Sequence, residues 1–175
     1  MKNWKNTAIA FSLATGLFIT GVATTTINVT HAAEKKVEIH QIVHQQTIKE
    51  MKKRAIAGKT TNSENFSIGS KTKDIVKKWG KPDQGSDAEY LGYNKRKIGF
   101  FATSGRVNLI VSNDKKYSGI TYKEVKRELG KPSKERKGED GIYVTYKAGK
   151  HALEIAFYYN KAGNAPDTIK EVSVY

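Results

Sequence analysis

The chain has 175 residues, with 31 Lys and Arg against 17 Asp and Glu, and it contains no Cys. Without thiols it has no disulfide, no zinc–thiolate site and no cysteine nucleophile, so a secreted form must be held by packing alone. The formal charge of +14 favours anionic partners through screened, long-range attraction.

Lys2 and Lys5 precede an uncharged, mainly apolar run from Ala8 to Val22, and Thr30-His31-Ala32 offers small residues at the two positions a signal peptidase reads. This pattern predicts a signal peptide over residues 1–32, cleaved after Ala32, with Ala33 as the close alternative. For a membrane span of about twenty apolar residues the run is short and diluted by Thr and Gly. No Cys follows it, which argues against a lipid anchor, and no second apolar segment exists. The mature chain, Ala33 to Tyr175, is therefore expected outside the cell, free or held at the cell wall. Loss of Lys2 and Lys5 takes the charge from +14 to +12. Exported chains meet wall polymers, anionic surfaces and proteins, so no nucleic-acid partner is expected.

Val37 to Ala57 reads as one helix. Val37, Ile39, Ile42, Val43, Ile48, Met51 and Ala55 give an apolar stripe, and Lys49, Lys52, Lys53 and Arg54 load its C-terminal end. Cations suit that end of the helix dipole, and Gly58 stops the helix. Lys59 to Asn65 reads as a polar link, so residues 33–65 form a helix and a connector.

From Phe66 onward the sequence repeats itself. Gly69-Ser70-Lys71-Thr72-Lys73-Asp74-Ile75-Val76-Lys77-Lys78-Trp79-Gly80-Lys81-Pro82 aligns with Gly119-Ile120-Thr121-Tyr122-Lys123-Glu124-Val125-Lys126-Arg127-Glu128-Leu129-Gly130-Lys131-Pro132. Each copy predicts a short helix that ends at Gly-Lys-Pro, because Gly supplies a C-cap and Pro prevents continuation. Thr121 and Glu124 make a capping box in the second copy. Strands are expected at Ala88–Tyr93, Lys97–Thr103 and Arg106–Ser112, then at Ile142–Lys147, His151–Tyr159 and Thr168–Tyr175. Ser133 to Gly141 reads as a charged loop. The expected fold is α+β: a long helix, then a short helix with three antiparallel strands, twice, with repeats at about 66–116 and 117–175.

Phe66-x-Ile68-Gly69, Ile75-Val76 and Trp79-Gly80-Lys81-Pro82 resemble the helix-to-strand signature of the β-lactamase inhibitory protein fold, which lipoproteins of the SmpA/OmlA type share. More closely, Lys77 to Asp83, Leu129 to Pro132 and Tyr146 to Gly149 resemble the YjgB-like family of uncharacterised secreted proteins from Bacillus-like Gram-positive bacteria. That resemblance covers about Ala55 to Tyr175 and implies a fold and an export route. The inhibitor itself carries disulfides in each repeat and a Gly-Met-Thr helix opening. Here Cys is absent and the openings read Gly69-Ser70-Lys71 and Gly119-Ile120-Thr121.

No catalytic signature appears. No Ser lies in a Gly-x-Ser-x-Gly elbow, and the Gly-Lys-Pro copies end helices, whereas anion sites begin them. Adjacent Glu139 and Asp140 read as solvated loop acids, and His40 and His44, four apart on the long helix, as two solvated rings rather than a metal site. Neither a cofactor nor a metal is expected.

The better candidate is the open face of the sheet. With Leu153, Ile155, Phe157 and Tyr159 facing the helices, the opposite parity presents Glu154 and Tyr158. Tyr143, Thr145 and Lys147 join from the preceding strand, and Glu171, Ser173 and Tyr175 from the last. Tyr143, Lys147, Glu154, Tyr158, Ser173 and Tyr175 are the predicted binding residues, with Tyr90, Arg106 and Asn108 as counterparts in the first copy. The expected function is a secreted, non-enzymatic module that binds an envelope or extracellular protein. The rivals are a basic binder of teichoic-acid-like wall polymer and a wall-acting hydrolase.

Overall fold

The computed structural model describes residues 26–175, with side chains from Glu34 onward. The apolar run of the expected signal peptide lies outside the described residues. The compact unit comprises residues 37–175.

Helix α1 spans Thr26–Ile56, beginning upstream of the expected Val37. Its apolar stripe divides. Ile48, Met51 and Ala55 are buried together with His44 and Thr47, whereas Val37, Ile39, Ile42 and Val43 are exposed. The buried set recurs at three- and four-residue steps, the spacing of one helix face, and that face meets the body of the protein.

Two short helices follow, α2 at Thr72–Trp79 and α3 at Tyr122–Leu129. Seven strands complete the chain: β1 Tyr90–Tyr93, β2 Ile98–Thr103, β3 Arg106–Ser112, β4 Lys134–Lys137, β5 Gly141–Ala148, β6 His151–Tyr159 and β7 Pro166–Val174. They form one antiparallel sheet in the order β1-β2-β3-β7-β6-β5-β4. A helix-plus-antiparallel-sheet, α+β architecture is thus the fold. The final strand does not lie at an edge: β7 sits between β3 and β6 and joins the two groups of strands.

Beneath α2, Ile75 packs with Phe66, Leu91, Tyr93, Ile98, Phe100, Val107 and Ile110. Beneath α3, Val125 packs in a larger cluster that includes Ile48, Met51, Ala55, Val144, Leu153, Ile155 and Phe157. Helix α1 therefore belongs to the second core.

Several tethers recur in both halves. The Val107 N–H donates to the Ser70 carbonyl and the Ile169 N–H to the Ile120 carbonyl, both at 2.9 Å. Past α2 the Tyr93 hydroxyl donates to the Gly80 carbonyl at 3.0 Å, and past α3 the Tyr146 hydroxyl donates to the Gly130 carbonyl at 3.3 Å. These bonds satisfy carbonyls that a helix end leaves without an intrahelical partner. The N-termini differ. Thr121 and Glu124 form the expected capping box on α3, whereas Lys71 gives α2 no side-chain cap.

Two expectations are corrected. The charged loop at Ser133–Gly141 contains an edge strand, β4, whose Lys134, Glu135, Arg136 and Lys137 are all exposed. An edge strand carrying charge resists pairing with other chains, which is why its sequence lacks apolar alternation. The polar link at Lys59–Asn65 is not a solvated connector: Thr60, Thr61 and Ser63 are buried. The Thr61 hydroxyl lies 2.6 Å from the Tyr117 hydroxyl and donates to Asp114 at 2.7 Å, while Ser112 donates to the side-chain amide oxygen of Asn62 at 2.7 Å. Burial of these hydroxyls is tolerated because each finds a partner.

Candidate functional site: the open face of the sheet

Directly opposed residues of antiparallel strands share a face. One row crosses the whole sheet: Lys134, Thr145, Glu154, Ser173, Val111, Gly99 and Gly92. A second holds Arg136, Tyr143, Ala156 and Glu171. These rows face away from the core side chains, so the sheet presents one face uncovered by α2 and α3.

On the β4–β5–β6 side, the predicted residues are brought together but are largely engaged with one another. The Arg136 guanidinium lies 3.8 Å from the centre of the Tyr143 ring and 3.4 Å from Glu154, which also accepts from Thr145 at 3.3 Å. The Tyr143 hydroxyl donates to Asp140 at 2.6 Å, and Lys170 pairs with the same carboxylate. Those bonds, Lys170 foremost and then Tyr143, hold Asp140 down at about 2, and the bond to Asp140, with burial, pushes Tyr143 up. Lys147 and Tyr175 are exposed as expected. Tyr158 is also exposed, with the Lys170 ammonium 5.8 Å from its ring centre. Ser173 is a correction: it lies on the open face by register but is 7% exposed, because a small side chain in mid-sheet is overtopped by its neighbours. Ala156 is buried for the same reason.

The residues missed by sequence reasoning lie in the first half. A cavity of about 430 Å³ opens on this face, with Tyr90, Phe101, Val111 and Gly99 among its walls and Asn113, Lys97 and Glu171 at its borders. Phe101 is 39% exposed, on the face opposite to that of its fully buried neighbour Phe100. Its ring lies 4.8 Å from that of Tyr90, its cross-strand partner. Burial pushes the Glu171 carboxyl above the usual carboxylate range. Of the expected counterparts, Tyr90 lines this cavity. Arg106 instead donates to the Gly69 carbonyl at 3.0 Å and Asn108 to Thr103 at 2.7 Å, beyond a bulge after Phe101.

The histidine reading is corrected in part. His40 is exposed, but His44 is buried, with Nδ1 2.9 Å from Glu124 Oε1. Glu124 loses solvation in that position, yet the Thr121 amide and hydroxyl and His44 outweigh this and hold its carboxyl below the usual range. Among the described residues, no group of three or more His, Asp or Glu is placed to hold a metal. No described helix is long and apolar enough to cross a membrane. Glu139 and Asp140 are both exposed, and Asp140 is bound to Tyr143 and Lys170.

The fold has a solved counterpart. A DUF4309 family protein (YjgB) from Bacillus subtilis subsp. subtilis str. 168 superposes with a TM-score of 0.57 at 18% identity, over 74% of this chain and 95% of that one. At that identity the likeness speaks for the fold alone. No curated protein matches the chain. The sequence profile described as Domain of unknown function (DUF4309) matches residues 48–175, from the buried half of α1 to the last residue. The chain belongs to the DUF4309 family.

Proposed function

We propose that this protein is a secreted, non-enzymatic binding module that holds an envelope or extracellular protein against the open face of its sheet. The observation that carries this reading is the asymmetry of the sheet. One face is packed beneath helices, while Phe101 is exposed in a cavity of about 430 Å³ on the other, and Tyr158 and Tyr175 are exposed as well. Exposed aromatic side chains beside a cavity are the usual anchors of protein recognition. The leader pattern over residues 1–32 supports export. The paired tethers of α2 and α3 support a tandem repeat of the inhibitory-protein type, in which the sheet face is the surface left for a partner.

The test immobilises the mature chain, residues 33–175, and exposes it to an envelope and secretome extract at low and at moderate salt. A defined protein retained at moderate salt, and lost from a Phe101→Ala/Tyr158→Ala variant of unchanged melting temperature, is the expected result. Retention of phosphate-rich wall polymer alone, released as salt rises, would transfer the function to the basic surface, because screening weakens exposed charge attraction. Turnover of labelled wall fragments would overturn the non-enzymatic reading.

A further inference from the structure

The cavity on the open face has a specific chemistry, set by a glycine pair. Gly92 and Gly99 are cross-strand partners, and the Tyr90 ring lies against both. A Cβ at Gly92 would come within 2.9 Å of the Tyr90 hydroxyl, and one at Gly99 within 2.8 Å of a ring carbon. Glycine in a strand interior weakens a sheet and marks close approach of another group; here it seats an aromatic ring against the backbone. Phe101 extends that wall.

Glu171 borders the same cavity from β7. The neighbouring Asn113 side-chain amide donates to the Lys170 carbonyl at 3.1 Å, and Glu171 forms no ion pair with any described residue. The nearest cation in sequence, Lys170, pairs with Asp140 and reaches Glu171 only through longer-range attraction.

The chain itself shows what completes an aromatic–glutamate pair. Arg136 stacks on Tyr143 at 3.8 Å and meets Glu154 at 3.4 Å. Arg96 stacks on Trp79 at 4.3 Å and meets Glu64 at 2.9 Å. In both cases a guanidinium spans ring and carboxylate at closer range to the ring than an ammonium manages here: Lys78, which meets Glu64 at 3.4 Å, stays 5.7 Å from the Phe66 ring. The cavity offers the same two elements, Tyr90 with Phe101 and Glu171, and no arginine of this chain lines it. We infer that the cavity is a clamp for an arginine side chain presented by the protein partner. This rests on the binding-module reading and names the partner's anchoring group. Val111 lies between the ring wall and the carboxylate, where an arginine stem would pass. Lys97 also lines the cavity, in a left-handed backbone conformation (φ 55°), an uncommon state for a residue with a side chain. Its like charge opposes the incoming cation.

The probe is N-acetyl-arginine methylamide, titrated into the isotopically labelled mature chain and followed by amide shifts, with the citrulline and lysine analogues as controls. Expected are shifts centred on Tyr90, Gly99, Phe101 and Glu171, with binding at least about tenfold weaker for citrulline, which keeps the shape and loses the charge. Glu171→Gln should weaken the arginine probe by about tenfold, and Lys97→Ala should tighten it several-fold, with amide spectra otherwise unchanged. Equal binding of arginine and citrulline, or weaker binding by Lys97→Ala, would overturn the clamp. If the arginine probe leaves the cavity unperturbed while the Phe101→Ala/Tyr158→Ala variant still releases a captured protein, the clamp fails and the binding face stands. If that variant retains the protein, the face itself is wrong.

Discussion

The two halves of the sheet reach similar helix and strand tethers with different fillings. Under α2 the core is aromatic: Trp79 lies 5.2 Å from both Phe66 and Tyr93 and 5.4 Å from Phe100, mostly edge to face. Under α3 the core is mainly aliphatic, and the volume is closed by α1 through Ile48, Met51 and Ala55. Large rings close the first half without a covering long helix; the second half borrows one. The lesson is that a backbone arrangement fixes where apolar volume is needed and leaves open how it is supplied. That freedom extends to the outer face, where the first half carries two glycines and an open cavity and the second carries an internally paired polar network.

The sharpest way to break this comparison is to empty each core in turn. Phe100→Ala removes a fully buried ring and should cost about 3–5 kcal/mol by denaturant titration. Trp79, the single tryptophan of residues 33–175, should report it through a red-shifted emission that the second-half variants do not cause. Met51→Ala removes the α1 plug and should cost about 2–5 kcal/mol, with lost amide-exchange protection concentrated around β5 and β6. Equal loss of protection in the first half would show that the two cores are one.

Capping gives a smaller contrast. Thr121→Ala should cost about 1 kcal/mol, whereas Lys71→Ala, at the matching position of α2, should cost almost nothing because no side-chain cap is lost. Thermal melts of the two variants make the comparison, and equal losses would contradict it.

The smallest effects are in pH dependence, and they have opposite signs. Glu124 in the second half has a folded value below its unfolded one. Its contribution is present above the ordinary glutamate range and is lost as pH falls through the lowered folded value. Glu171, raised by burial, binds protons more readily when folded, so it reduces stability as pH rises from the ordinary glutamate value through the raised one. Glu124→Gln should flatten the acid limb of the stability profile, and Glu171→Gln should lift stability slightly at neutral pH. Identical profiles for the two variants would refute the assignment.

Local signals carried much of this molecule. Gly80-Lys81-Pro82 and Gly130-Lys131-Pro132 mark where α2 and α3 stop, and strict alternation from Leu153 to Phe157 identifies β6 and its inner face. The strand β4 was not legible, because an edge strand with charge on both faces looks like a loop. Nor was the burial of Thr60, Thr61 and Ser63, since small hydroxyl residues read as solvated until Tyr117, Ser112 and Asp114 arrive from about fifty residues away. The tyrosine face of the second half was read correctly in parity but not in engagement: Tyr143 and Glu154 are spent on Asp140 and Arg136. A signal for the cavity did exist in Gly92 and Gly99, two glycines in predicted strands, which ask what lies against the backbone.

The central place of β7 also sets an order of events. Six strands precede it along the chain, yet β3 and β6 lack their shared neighbour until it arrives. A growing chain therefore holds two unpaired inner edges, and neither group of strands is joined to the other by the sheet. The two halves lock only when β7, the last of the seven strands in chain order, inserts, so completion of the sheet waits for all the others.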